Sequence, residues 1–382
     1  MHIEIISALD QIAPTQWNAL VRDNNPFVRH EFLAALEHHG CVGEDFGWLP
    51  CHVLLWDNEE LIGALPLYEK YNSYGEFVFD HAWANAYQKH GLDYYPKLVS
   101  AIPYTPASGQ RLLAQAGRET EVFPTLLATV QHLVREREAS GFHCLFANAA
   151  EQDWLETQQL VVRHDCQFHW RNFAYRDFDE FLATLSAKKR KNIRQERRRV
   201  ADSGVELRLL DGHSATAEDW ARFAYFYRHT FESKWGFPTL NQGFFQEVAT
   251  RLPDQVLLVM ADWQGQCIAG SLMYRSETRL FGRHWGCVEQ VDQLHFEACY
   301  YQGIEYCIRE GLAVFEPGAQ GEHKVPRGFI PTLTRSSHWL SSAPFQSAVQ
   351  QHSLHEQRAV AHYMDSVREH LPYRADFAAN HL

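Results

Sequence analysis

Carboxylates, imidazoles and cations gather at several places along this chain, and each gathering suggests its own chemistry. The stretch FEPGAQGEHKVPRGF (315–329) sets Glu316, Gln320, Glu322, His323, Lys324 and Arg327 in a loop framed by Pro317-Gly318 and Gly328. Such a mixture exceeds what a turn needs, and loops at strand ends of α/β sheets are where ligands bind. The run reads as a substrate-positioning and proton-handling loop. It is not a phosphate-binding loop, because GAQGEHK lacks the GxxxxGK[ST] spacing.

Just before it, LHFEACYYQGIEYCIREG (294–311) has the period of a helix stopped by Gly311. At 100° per residue Leu294, Ala298, Tyr301, Ile304 and Ile308 share one stripe, and Glu297 and Glu305 fall inside it. A carboxyl facing an apolar side is either drawn toward neutral pKa, as a general base needs, or held by an arginine. The preceding strand, RLFGRHWGC (279–287), places Arg283 and Trp285 on one face and His284 on the other by alternation. Glu297, Glu316, His323 and His284 are the catalytic candidates. Arg283, Trp285, Tyr300, Gln320, Glu322, Lys324 and Arg327 would bind and orient substrate.

The segment KKRKNIRQERRR (188–199) carries eight cations against one acid, Glu196. It reads as a helix from the N-cap Ser186 to Gly204, with Ile193 and Val200 as its apolar seam. Cations in a first helical turn oppose the helix dipole, so Lys188, Lys189, Arg190 and Lys191, with Arg194, Arg197 and Arg198, are expected to meet an anion: a nucleotide-bearing donor, an RNA backbone, or an acidic face of the same protein. In the first half, Asp80, His81, Trp83, Tyr87, Tyr94, Tyr95 and Lys97 form another polar and aromatic group, expected to line a cleft between domains.

These residues need a scaffold. The chain has 382 residues, 46% of them hydrophobic, a net charge of −12, and eight cysteines without a CxxC pair. That is enough for two ordinary domains with large cores, argues against wholesale coating of nucleic acid, and fits a reduced cytoplasmic protein. No apolar run is long enough to span a bilayer, and neither HExxH nor a Cys/His ligand spacing is present, so no metal site is expected. Two strand–turn–strand patterns, HVLLWDNEELIGALPLY (52–68) and VLLVMADWQGQCIAGSLMY (256–274), repeat each other. Each is followed by a helix and then a strand: FPTLLATVQHLVREREASG (123–141) before FHCLFAN, and the 294–311 helix before LAVFEPG. The pattern predicts α/β or α+β mixed sheets in two tandem domains, 1–175 and 176–382, with a closing helix at the C-terminus.

The runs YNSYGEFVFDHAWANAY (71–87), YYPKL (94–98), IPYTPASGQRLL (102–113), LHFEACYYQGIEY (294–306) and FEPGAQGEHKVPRGFIP (315–331) resemble the FemAB-like family of predicted N-acyltransferases, within the GNAT superfamily of acyltransferases. The resemblance extends over nearly the whole chain and implies two tandem GNAT-like domains. It implies an N-acyltransferase that passes an acyl or aminoacyl group from an activated donor to an amine, with the donor, acyl-CoA or aminoacyl-tRNA, as co-substrate and no tightly bound cofactor. GNAT domains grip acetyl-CoA pyrophosphate with a [QR]xxGx[GA] turn, and GCVEQVDQLHFEA (286–298) has no such glycines. Fem-type relatives take aminoacyl groups from charged tRNA to extend a peptide or cell-wall precursor, and the basic segment would suit that partner. The reading outside catalysis is a tandem module that only binds RNA or an acyl ligand.

Overall fold

The computed structural model describes residues 1–233, 236–319 and 321–381, with helices and mixed sheets throughout. The chain divides into two compact units: residues 1–165 with 333–361, and 166–332 with 362–382. They do not follow a single cut near residue 175. Residues 333–340 return to the first unit because Ser336–Leu340 pair antiparallel with Gly141–Leu145, and Arg163 binds Glu356 of the long helix Ala343–Arg368.

In the first unit one sheet runs His2–Ile6, His52–Asp57, Glu60–Leu65, Leu113–Ala114, all antiparallel. A second group runs Trp48–Pro50, Tyr68–Lys70, Lys97–Ser100, Gly141–Leu145 and then the 333–340 segment, with Lys97–Ser100 and Gly141–Leu145 parallel. The amphipathic helix Glu119–Glu136 covers them through Val122, Leu126, Val130 and Leu133. This helix ends five residues before Gly141. That glycine instead opens a strand, where a Cβ would lie 2.3 Å from the Trp339 carbonyl oxygen.

The second unit runs Val205–Leu210, Val256–Trp263, Gln266–Arg275, Arg279–Cys287, Val314–Glu316, and then residues 166–171 of the strand Val161–Arg171. The helix that follows Arg279–Cys287 packs on one side, with Met273, Tyr301, Ile304 and Phe315 in the core. The helices Ala217–Glu232 and Gln242–Arg251 lie on the other.

The two hairpins seen in the sequence repeat a detail. Each slips register shortly before its turn, at Leu55/Trp56 and at Ala261/Asp262, and each carries a glycine pressed against a covering helix. A Cβ at Gly63 would lie 2.4 Å from Val122, and one at Gly270 lies 3.0 Å from Phe223. Gly286 is as close but to main chain, since its Cβ would lie 2.4 Å from the backbone of Phe226. Gly286→Val is expected to lower stability by about 1–3 kcal/mol through overpacking, measurable as a lower urea midpoint.

Candidate functional site

Strand Arg279–Cys287 pairs in parallel with Val314–Glu316 only from Arg279 to Phe281, and beyond that point the two strands part. Gly282 stands at the parting, where a Cβ would lie 3.1 Å from the Cα of Pro317. Past it the Val288 amide donates to the Ile268 carbonyl of the other neighbour. By the alternation of a strand, the amides of Gly286 and His284 face that same neighbour, and those of Trp285 and Cys287 face the opening.

Alternation fails at Arg283. It is the extra residue of a bulge, because Leu272 opposes His284 while Met273 opposes Gly282. Arg283 therefore lies with Tyr274, Tyr227 and Glu316, and burial pulls its guanidinium down to about 10 against their support. His284 is on the same side, edge-on to Tyr227 and Phe245, and burial first, then Arg283, keeps its imidazole neutral. Trp285 alone turns to the following helix, against His295 at 5.4 Å. The expected grouping of Arg283 with Trp285 is thus corrected.

The helix carrying Glu297 is not regular. Residues Glu297–Tyr301 form a π turn between Leu294–Phe296 and Gln302–Glu310. At 3.6 residues per turn Glu305 would point about 80° away from Glu297; the wide turn absorbs one residue and brings the two into line. Both grip one guanidinium: Arg197 donates to Glu297 at 2.9 and 3.1 Å and to Glu305 at 2.7 and 3.0 Å. Gln302 adds a hydrogen bond to Glu297 at 2.7 Å. Next to Arg197, Glu196 accepts two hydrogen bonds from Arg327 and one from the Tyr301 hydroxyl. Arg327 also lies 3.4 Å over the Phe296 ring. Glu297 and Arg327 are thus both committed to ion pairs.

Around the opening, Lys324 is 1% exposed, and its Nζ donates to the Gly318 carbonyl at 2.6 Å. Burial draws its amine down to about 7, and only the Cys299 thiol opposes that shift. His323 reaches the surface with its ring partly shielded, shares a hydrogen bond of 2.8 Å with the Tyr300 hydroxyl, and is lowered by that partial burial and by Lys324 and Arg327. Trp285, His295, Phe296, Tyr300 and Phe329 form a continuous aromatic wall beside it. Glu316 ends its strand on the other side of the sheet, bound by Arg279 at 2.5 Å and 3.9 Å from His169. Glu322 turns outward to the Tyr363 hydroxyl. Gln320 lies outside the described residues.

The basic helix spans Ala187–Asp202, with Gly204 at positive φ beyond it. Its cations divide. Arg197 faces inward, and Arg194 and Arg199 pair with Asp179 and Asp292. Lys188, Lys189, Arg190, Lys191 and Arg198 have no acidic partner among the described residues. Of the three anions expected for this segment, Arg197 meets the acidic face of the same protein and acts as an internal clamp.

In the first unit, Lys97 donates to Glu76 at 2.8 Å, to Ser73 at 3.1 Å, and to Asp80. Tyr94 donates to Asp80 at 2.6 Å, and Tyr95 shares a hydrogen bond with Ser73. Asp80, Tyr95 and Lys97 thus meet, while His81 is exposed beside Phe79. Among the described residues no cluster of metal-ligating side chains occurs, and no helix is long and apolar enough to cross a membrane.

The family model for FemAB-like proteins, described as peptidoglycan biosynthesis/recognition, matches residues 8–375. The chain belongs to the FemAB-like family. Like its family it is a transferase. The solved structure of FemX aligns with 92% of this chain and 100% of its own at 10% identity and a TM-score of 0.54. The DUF2156 domain of an Agrobacterium fabrum protein described as a lysylphosphatidylglycerol synthetase covers 87% and 93% at 9% identity and a TM-score of 0.51. A tandem GNAT protein from clavulanic acid biosynthesis covers 89% and 98% at 11% identity, with a TM-score of 0.44. The fold of this FemAB-like chain is accordingly the one seen in FemX. No curated protein matches it.

Several residues at these sites had no signal in the sequence. Glu196 was the lone acid in a basic run, which hinted at an internal partner; His169, Glu76, Cys299 and His295 offered nothing beyond their type. Removing the clamp with Arg197→Met should lower stability by about 1–3 kcal/mol, because Glu297 would stay buried without its cation. Arg198→Met on the exposed face should stay within about 0.5 kcal/mol, and chemical denaturation compares the two.

Proposed function

We propose that this chain is an N-acyltransferase that moves an aminoacyl group from an activated ester to the amine of a peptidoglycan precursor, and that its two units are tandem GNAT-like domains. One observation carries the reading: two strands part at Gly282, the Trp285 and Cys287 amides face the opening, and buried Lys324 sits beside it. The tetrahedral intermediate of acyl transfer places negative charge on one oxygen, and fixed amides in a water-poor gap stabilise it without reorganising.

In this mechanism the acceptor nitrogen bonds to the carbonyl carbon, the ester C–O bond breaks, and the proton lost by nitrogen passes to Lys324 and then to the leaving hydroxyl. An amine drawn down to about 7 by burial is neutral above that pH and able to accept a proton. His323, exposed on the same turn, and the buried Tyr300 hydroxyl of the bulged helix to which it is hydrogen-bonded offer a route for the proton. Trp285 and the aromatic wall position the substrate. Glu297 and Arg327 serve as positioning residues through their ion pairs, and Glu316 anchors the end of its strand through Arg279.

Two features support an aminoacyl-tRNA donor. The exposed Lys188, Lys191 and Arg198, with Lys189 and Arg190, present cations that the protein leaves without acids among the described residues. Where an acetyl-CoA enzyme would hold pyrophosphate, Asp292 stands at the start of the bulged helix, bound to Arg199. Such a donor places the reaction in the cytoplasm.

Mass spectrometry of the protein with charged tRNA, acyl-CoA and peptidoglycan precursor amines is expected to detect product from the tRNA donor; product from acyl-CoA alone would replace the donor assignment. Lys324→Met should cost about 10²–10⁴ in turnover, and the wild-type rate should climb with pH and level off above about 7 as the amine loses its proton. Unchanged turnover in that variant removes Lys324 from the chemistry. Neutralising Lys188, Lys189, Arg190, Lys191 and Arg198 together should weaken tRNA binding and flatten its dependence on salt, by about 0.7–0.9 in slope for each phosphate that is no longer neutralised.

A further inference from the structure

The first unit holds a constellation that the transfer chemistry does not use. Lys97 is fully buried, and its three N–H bonds go to Glu76 Oε2, Asp80 Oδ2 and Ser73 Oγ. Each carboxylate thereby spends one oxygen on Lys97. The second oxygens, Glu76 Oε1 and Asp80 Oδ1, are buried with no partner among the described residues. A buried carboxylate oxygen without a donor is costly, and natural proteins seldom keep one without reason. Glu76 registers that cost: burial pushes it up to about 7 in spite of Lys97.

Beside these acids, His143 and His338 meet through their Nδ1 atoms at 2.7 Å, and both Nε2 atoms are buried and lack partners among the described residues. Burial keeps both imidazoles neutral. In a neutral pair joined Nδ1 to Nδ1, one ring donates and the other accepts, so one Nε2 carries a proton and the other a lone pair. Trp83 and Tyr94 pack against His143, and Trp83 also packs edge-on to His338 at 4.9 Å. The second buried lysine does not compensate the acids directly: Lys70 donates to Asn72 and to the Tyr74 carbonyl and sits 3.9 Å from the Trp48 ring centre. Above the cluster the irregular segment 71–80 exposes Tyr71, Tyr74 and Phe79.

We infer that this constellation is a binding site for a primary ammonium group, which would donate to Glu76 Oε1 and Asp80 Oδ1 while an adjoining hydroxyl or amide of the same ligand meets the His143 and His338 Nε2 atoms. The unmet atoms are two carboxyl oxygens, of which that of Asp80 is held ionised by Lys97 in spite of burial, plus one donor and one acceptor, and the aromatic faces of Tyr94 and Tyr95 already flank the Lys97 ammonium at 5.3 and 5.9 Å. An anion would meet two carboxylates, and an apolar guest would leave all four atoms unpaired. The site shares no residue with the parted strands, so it stands or fails separately from the acyl-transfer chemistry.

Calorimetric titration of the full chain with 5-amino-1-pentanol tests this, with 1,5-pentanediol and glutarate as controls. Saturable binding of one aminopentanol per chain, absent with both controls and weakened at least about tenfold by Glu76→Gln or Asp80→Asn, is the expected result. Aminopentanol that fails to bind the wild-type chain, or binds no better than the diol, overturns the proposal. So does undiminished binding in both variants when circular dichroism reports them folded. The wild-type comparison decides the matter even if either variant unfolds.

Discussion

Everything placed at the parted strands depends on two adjacent residues of the basic helix. Arg197 draws Glu297 and Glu305 together, and Glu196 holds Arg327 and Tyr301. These ion pairs tie three elements at once: the basic helix, the bulged helix, and the turn Glu322–Arg327 that carries His323 and Lys324. A buried charge is tolerated only when its partners are close and its remaining hydrogen bonds are met. Arg197 and Glu297 meet that condition with Gln302, and Arg327 meets it with Glu196, the His323 carbonyl and the Phe296 ring.

That arrangement frees Lys324 from charge pairing. The acids nearest the opening are already committed, so the lysine is left with a backbone carbonyl and an apolar surrounding, and its amine is drawn toward neutrality. Acidity is thereby tuned by where the carboxylates are spent. The same logic appears in the first unit with the opposite outcome, where Lys97 is saturated by acids: burial pushes Glu76 up, while Lys97 holds Asp80 below the usual carboxylate range in spite of burial.

Backbone irregularities do comparable work. The bulge at Arg283 sends that arginine and His284 to one side of the sheet and leaves Trp285 on the other. The π turn aligns Glu297 with Glu305, and Gly282 lets the chain pass Pro317 before the strands diverge. Each inserts or omits a little space at one point and redirects several side chains downstream.

By itself the sequence determined the mixed α/β class, the repeated hairpins, the extent of the basic helix, the Gly311 stop and the loop richest in chemical groups. These follow from local periodicity and turn residues, which act within a few positions of the chain. Tertiary structure alone decided that Glu297 is clamped rather than poised, that Arg197 faces inward among outward cations, that residues 333–361 return to the first unit, and that His143 meets His338 across 195 positions. Ordinary periods of 3.6 and 2 cannot foresee a π turn or a bulge, since each shifts every later side chain by one place. Which charges meet is fixed by long-range packing, and packing leaves no mark in the spacing of the residues it joins.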